Sequence, residues 1–215
     1  FTHIIYFAII ISILITIIGL SFSDEIFALM VTSDEVTKLG IQYTDIIFSG
    51  SVLFILVVAL NSLLHAEGDT KTYRNVLILS FFINLILNPI LIFGLFIFPA
   101  LGVKGIAIST IFSQSVAFLI IFFKILKNSR IREITKKFLV PKIYYFINIF
   151  FTAMPIVVSI LAYSITAAIV IKYVGISGEY AVAGYGAGTR IEQVVLLPIL
   201  GLSLIHISEP TRHVD

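Results

Sequence analysis

Two carboxamides, Asn84 and Asn88, stand in the run FINLILNPILIFG, residues 82–94, and Pro89 follows directly. Residues four apart share one face of a helix. A carboxamide offers a carbonyl oxygen and an N–H pair, so it can bind a cation or hydrogen-bond a polar ligand. Proline lacks an N–H, so the carbonyl of Leu85 loses its partner and a helix kink is expected at Pro89. Placing these groups against lipid is costly, so the face is expected to turn inward. Asn61, within the preceding apolar run, is a third amide that could face the same cavity. Asparagines also bridge packed helices, for about 0.6 kcal/mol each. Two on one face beside a proline, with a third nearby, favour a polar pocket at the membrane midplane.

The elements that position these groups follow from composition. The chain is 59% hydrophobic and 12% charged, with mean hydropathy +1.12. Such a chain takes the bilayer as its solvent. About 20 apolar residues span a membrane. Six spans fit, near Ile4–Phe22, Ile46–Ala66, Asn75–Ile97, Val103–Phe123, Tyr144–Ile171 and Ala181–Gly201. The fold class is all-α membrane protein. SDEV at 33–36 has part of a capping-box pattern with Ser33 as N-cap, and marks a short amphipathic helix before the second span.

Basic residues orient the spans, because cytoplasmic loops carry the excess of Lys and Arg. Lys124, Lys127, Arg130, Arg132, Lys136, Lys137 and Lys142 crowd residues 124–142 against Glu133 alone. That stretch reads as cytoplasmic, and as a linker between helical bundles rather than a nucleic-acid patch. Lys71 and Arg74 fall on the same side, and the acidic stretch Asp24–Glu35 on the other. The expected division is 1–123 for one bundle, 124–143 for the linker and 144–201 for a second bundle.

The chain starts inside an apolar run at Phe1, as expected of a piece of a longer protein. LSLIHISEPTR, residues 202–212, resembles the in-frame translation of a transposase sequencing adapter. Residues 202–215 are therefore set aside as a non-native tail, with His206 and Glu209.

In AEGDTKTYR, residues 66–74, Gly68 supplies a tight turn, Asp69 a cap, and Lys71 an anchor beside Arg74. The spacing is wrong for a phosphate loop. Arg190 and Glu192 lie inside the sixth expected span. Each needs a partner or water there, so Glu192 is either a cation site or half of an ion pair, with the pair favoured. The glycines of GYGAG, 184–188, suit close helix packing. There is no Cys, and no HExxH or paired-carboxylate spacing, so no metal site, cofactor or enzymatic constellation is expected.

LNSLLHAEGDTKTYRNVLILSFFINLILNPILIFGLFIFPALGVKGIAIST, residues 60–110, resembles the core signature of the MATE (multidrug and toxic compound extrusion) family. VAGYGAGTRIEQVVLLPILG, MPIVVS and TSDEVTKLGIQYTDIIFSG are similar to other parts of that family. The resemblance covers residues 1–201 in order and implies helices three to eight of a twelve-helix, two-lobe fold. It implies secondary active export of cationic amphipathic compounds in exchange for H⁺ or Na⁺, by alternating access. It also implies a bacterial-type cytoplasmic membrane location, with small organic cations, the coupling ion and lipid as partners, and no nucleic acid. In one branch an Asp and two Asn line the first lobe's cavity, at positions matching Asn88, Asn84 and Asn61. Here the acid is an amide. Asn88 cannot titrate, but it can coordinate Na⁺ or hold a substrate. The other branch's acid on helix seven has no counterpart in AMPIVVSILAYSITAAIV, where Ser159, Tyr163, Ser164 and Thr166 are the polar groups. For the hydroxyls, bonds back to the helix backbone are expected.

A flippase of lipid-linked saccharides is the alternative within the wider superfamily. It would want cationic side chains at the midplane, which the first five spans lack. An intramembrane enzyme would need a His, Ser or acid cluster at one depth, and none is evident. Half a transporter is not expected to transport alone, so activity belongs to the intact protein.

Overall fold

The computed structural model describes residues 2–30, 34–128 and 142–208. Among them stand seven helices: α1 Thr2–Met30, α2 Asp34–Ser49, α3 Ser51–Ala66, α4 Thr70–Phe93, α5 Val103–Lys127, α6 Ile143–Gly175 and α7 Glu179–Ser208. Ser33 and residues 129–141 of the basic stretch lie outside the described residues. Large apolar side chains point outwards, with Phe81 61% and Phe151 69% exposed. Only hydrocarbon makes such an exterior favourable, so this is a multi-pass membrane protein.

Helices α1 to α5 form one bundle, in which α5 packs on α2, α3 and α4 while α1 packs on α2 and α3. Helix α6 leans on α1, and α7 packs on α6. The N–H of Lys142, which begins α6, donates to His3 Nε2 at 2.9 Å. The His3 ring lies 4.7 Å from that of Tyr145, so an imidazole beside the start of α1 seats the start of α6.

The expected spans are corrected in two places. The second is broken: α2 and α3 meet at Gly50 with a 47° bend, and together they have the length and apolar content of one crossing. The expected amphipathic helix is α2, longer than read because nothing between Asp34 and Ser49 stops it. Gly50 packs where a Cβ would meet the Ile111 side chain at 2.6 Å. The break frees backbone groups, and neighbouring hydroxyls take them up. Thr16 Oγ1 donates to the Phe48 carbonyl at 3.0 Å. Ser51 Oγ lies 2.7 Å from Thr16 Oγ1.

The third span runs Thr70–Phe93 rather than Asn75–Ile97. Asp69 fixes its start, accepting from Thr72 N at 3.0 Å and from Thr72 Oγ1 at 2.6 Å. Gly94, left-handed at φ 69°, fixes its end. Pro89 sits inside α4 without ending it. The sixth expected span, Ala181–Gly201, falls within α7; among the described residues the helices long and apolar enough to cross a membrane are α1, α4, α5 and α6, besides the α2–α3 pair.

The buried apolar core sits at the end of the bundle that carries the α3–α4 turn. Val57, Leu60, Leu63 and Leu64 of α3 meet Val76 of α4 and Ala117, Ile121 and Ile125 of α5. Towards the other end, α4 and α5 approach closely. A Cβ on Gly105 would stand 2.8 Å from the Leu91 carbonyl. The GYGAG glycines do not pack in this way: nothing lies within 4 Å of a Cβ placed at Gly184, Gly186 or Gly188.

Gly105→Ala is therefore expected to destabilise the purified chain by about 1–3 kcal/mol, because a rigid backbone faces the new methyl. Gly184→Ala is expected to be neutral or mildly stabilising, since Ala is the better helix former by up to about 1 kcal/mol. Thermal unfolding in detergent compares the two; equal behaviour would contradict the packing described.

Asp69 carries a pH signature. The Thr72 hydroxyl above all, then the Thr72 N–H, hold its carboxyl below the usual range against slight burial, with Lys124 adding a smaller attraction. A carboxylate with a lowered folded-state pKa contributes stability above its unfolded pKa and loses it as pH falls through the folded value. Asp69→Ala is expected to cost about 1 kcal/mol at neutral pH. The gap between wild type and variant should start to narrow as pH falls below about 3.9, where the unfolded carboxyl takes up its proton first, and narrow further as the folded one follows. Unfolding temperatures measured at pH 7 and pH 3 check this.

Candidate functional site

Asn84 and Asn88 lie in the half of α4 nearer Gly94, because Asp69 starts that helix earlier than the hydropathy alone implies. Both are partly buried against α5. Opposite them stand Ser109 and Ser113, each fully buried. Asn84 Nδ2 donates to Ser113 Oγ at 2.8 Å and to the Ser80 carbonyl at 3.1 Å. Ser113 in turn donates to the Thr110 carbonyl at 2.8 Å. These bonds fix the amide with its oxygen towards Ser109.

Ser109 has one hydroxyl hydrogen and faces three acceptors. They are Asn84 Oδ1 at 3.3 Å, the Ile106 carbonyl at 2.9 Å and Asn88 Oδ1, in a close contact. One O–H satisfies one acceptor well. Around the Ser109 hydroxyl, acceptor oxygens outnumber the one hydrogen. Such a site suits a ligand that brings positive charge or N–H and O–H groups, and carbonyl, amide and hydroxyl oxygens are the ligands that hard cations choose.

Ser109 and Ser113 are the site residues that sequence reasoning missed. A usable signal was present. Gly105, Ser109, Ser113 and Ala117 recur every four residues in α5, a small-residue stripe of the kind that lets membrane helices meet. It has the same spacing as the two amides it receives.

Asn61 stands apart. Its Oδ1 is buried, and no hydrogen bond from the described residues reaches it. At about 1.5 Å per residue, Asn61 lies roughly 8 Å from the end of α3, whereas Asn84 lies roughly 21 Å along α4 from the same turn. The amides thus differ in depth by about 13 Å, and no hydrogen bond joins Asn61 to the others.

Glu192 and Arg190 are exposed on α7. The ion pair among the described residues is Lys124–Asp69, at 3.8 Å, so the pairing expected for Glu192 or Arg190 does not form among them. The hydroxyls of α6 bond back to their own helix. Ser159 donates to the Pro155 carbonyl at 2.9 Å, and Ser164 to that of Ile160 at 2.9 Å. Thr166 does the same with Ala162 at 2.9 Å. In the α3–α4 turn, Gly68 adopts φ 81°, which favours glycine, while Lys71 is exposed. Among the described residues no group of three or more His, Cys, Asp or Glu could hold a metal ion.

The MatE family model matches residues 1–90. A Bacillus subtilis protein named as a probable multidrug resistance protein, YoeA, is 28% identical over 201 residues, 92% of this chain and 43% of its own length. A Shewanella oneidensis protein named as an FAD transporter is 30% identical over 86% of this chain and 41% of its own. A multidrug resistance MATE family transporter, solved in an inward-facing conformation, superposes with TM-score 0.78 at 25% identity. That superposition covers 92% of this chain and 44% of the solved one. The chain thus spans less than half the length of these relatives. With the family match running through Asn84 and Asn88, and the fold match extending over nearly all of its length, the chain is similar to the MATE family of membrane transporters.

Proposed function

We propose that this chain is part of a secondary active exporter of cationic amphipathic compounds, in the cytoplasmic membrane of a prokaryote, and that Asn84, Asn88 and Ser109 bind the coupling ion or the substrate. The observation that carries the reading is the excess of acceptor oxygens around the single hydroxyl hydrogen of Ser109. The multidrug names of several relatives support the substrate class. No cofactor enters the reading, and transport rather than bond-making is the activity. The lobes on either side of residues 124–143 would rock about the site, with the basic stretch on the cytoplasmic side.

The amides bear on the choice of ion. Asn88 carries no proton at any working pH, so a proton cannot be loaded there. Na⁺ fits three neutral oxygens, whereas a proton would have to use an acid other than these amides. Asn61 Oδ1, buried and lacking a donor, suits a second polar contact deeper in the protein. Glu192, on the exposed face of α7, would serve a separate site against the remainder of the protein.

The FAD transporter among the relatives raises an anionic alternative, as does the lipid-linked saccharide flippase. None of the cluster's side chains, Ser80, Asn84, Asn88, Ser109 and Ser113, is cationic, so a phosphate would find no counter-charge there. The oxygen-rich site therefore favours the cation.

The test uses the full-length protein in liposomes loaded with a fluorescent cationic dye. Efflux is expected under an imposed Na⁺ gradient and is expected to be lost in Asn88→Ala and in Ser109→Ala. Asn88→Asp is expected to make the driving force depend on pH, because it installs a titratable group. Dye that stays inside under both a Na⁺ and a pH gradient would refute the export reading, and a lipid-linked sugar would then be assayed.

A further inference from the structure

Asp45 is the one carboxylate placed within the broken α2–α3 crossing past the polar start of α2. Counting back from Ala66 at about 1.5 Å per residue, it lies about 30 Å from the α3–α4 turn. That is one hydrocarbon thickness, about 30 Å, so Asp45 stands near the opposite membrane surface. Ser23 of α1, itself 4% exposed, donates to Asp45 Oδ1 at 2.9 Å. That bond fixes the carboxylate without neutralising it. No Lys or Arg among the described residues pairs with it; the ion pair there belongs to Lys124 and Asp69.

Asp45 is among the residues that line an open cavity of about 450 Å³ at the helix break, with Ile46, Ser49, Gly50, Val52, Leu53 and Ile111. Its walls are otherwise mostly aliphatic. Asp45 also occupies the last turn of α2, where the helix dipole presents its negative end. Broken membrane helices use such C-terminal ends to hold cations. The Ser49 hydroxyl does not compete for the carboxylate, because it donates to the Asp45 main-chain carbonyl at 2.7 Å.

This cavity is distinct from the amide cluster. Ser109 and Ile111 are two residues apart on α5, so they lie about 3 Å apart along the helix and about 200° around it. The amides face one side of α5 and the acidic cavity the other, at one depth.

We propose that the Asp45 cavity is a binding site for a lipophilic organic cation. One negative charge matches one positive charge, and the aliphatic walls take the carbon frame. A volume of about 450 Å³ is wide for a bare alkali ion but falls in the ordinary range for small organic ligands. The assignment rests on the export reading above and gives it a contact that the amides do not provide. Substrate would meet Asp45 near the membrane surface opposite the Gly68 turn.

The experiment is equilibrium binding to the full-length protein in detergent. The probes are tetraphenylphosphonium and its neutral relative triphenylphosphine oxide. Asp45→Asn is expected to weaken phosphonium binding about tenfold or more, the scale of one charge contact near a protein surface. Oxide binding is expected to stay unchanged, and Asp45→Glu to retain the preference for the cation. Equal loss of both probes would make Asp45 a structural residue and overturn the assignment. Unchanged phosphonium binding in Asp45→Asn would overturn it while leaving the export reading intact. Failure of the wild type to bind phosphonium, together with no dye efflux, would overturn both. Replacing Na⁺ by N-methylglucamine at constant ionic strength separates the ions. If Na⁺ displaces phosphonium from the wild type but not from Asp45→Asn, the carboxylate serves the alkali ion and the organic cation is wrong. Should the asparagine variant fail to fold, carbodiimide labelling of wild-type Asp45 replaces it. Phosphonium is expected to slow that labelling and the oxide not to; equal rates would overturn the proposal.

Discussion

The close approach of α4 and α5 is the constraint on which the rest depends. Along α5 the residues Gly105, Ser109, Ser113, Ala117, Ile121 and Ile125 recur every fourth position, and all are buried. The stripe is graded in size. Glycine lets backbone meet backbone at Leu91. The serines then bring hydroxyls within reach of Asn84 and Asn88. The isoleucines fill the space between Leu63 and Leu64 at the far end. In lipid the hydrophobic effect does not drive helices together, so small residues and polar contacts must do it. Here one stripe supplies both.

Much of this was legible in the sequence, and the parts that were not have physical reasons. Apolar run length located the helices, and the spacing of Asn84 and Asn88 marked one polar face. Ser109 and Ser113 escaped because a serine inside a membrane helix ordinarily bonds its own backbone, as Ser159 and Ser164 do. What distinguishes them is the amide across the interface, which no single helix reveals. The bend at Gly50 escaped because glycine is common in membrane helices and only its contact with Ile111 makes it a break. Asp45 escaped for a related reason: it sits one residue before the apolar run of the second span begins, and reads as a boundary until α2 is seen to continue through it. The limits of α4 moved because two single residues, Asp69 and Gly94, outweigh a hydropathy window.

The amide cluster and the acidic cavity divide the labour differently from an arrangement built on buried acids. The interior between α4 and α5 is neutral and oxygen-rich, so it avoids the several kcal/mol that an uncompensated charge costs there. The charged group lies on the other side of α5, tied by the Ser23 hydroxyl rather than by a cation. The Thr16 hydroxyl has a third task, taking up the Phe48 carbonyl beside the break, while the Ser51 hydroxyl ties the start of α3 to α1 through Thr16 and the Ser12 carbonyl. Polar residues in this bundle therefore separate into those that satisfy the backbone and those with capacity left over for a ligand.

The apolar core occupies only one end of the bundle, beside the turn that Asp69 and Lys124 brace. Mechanically, that end is a rivet. The helices leave it at fixed angles, and the Gly50 bend and the Gly94 stop both lie towards the far tips. A small rotation at the rivet becomes a larger stroke at the tips, in proportion to their distance from it. An ångström of repacking among the leucines would displace the far tips by more than an ångström.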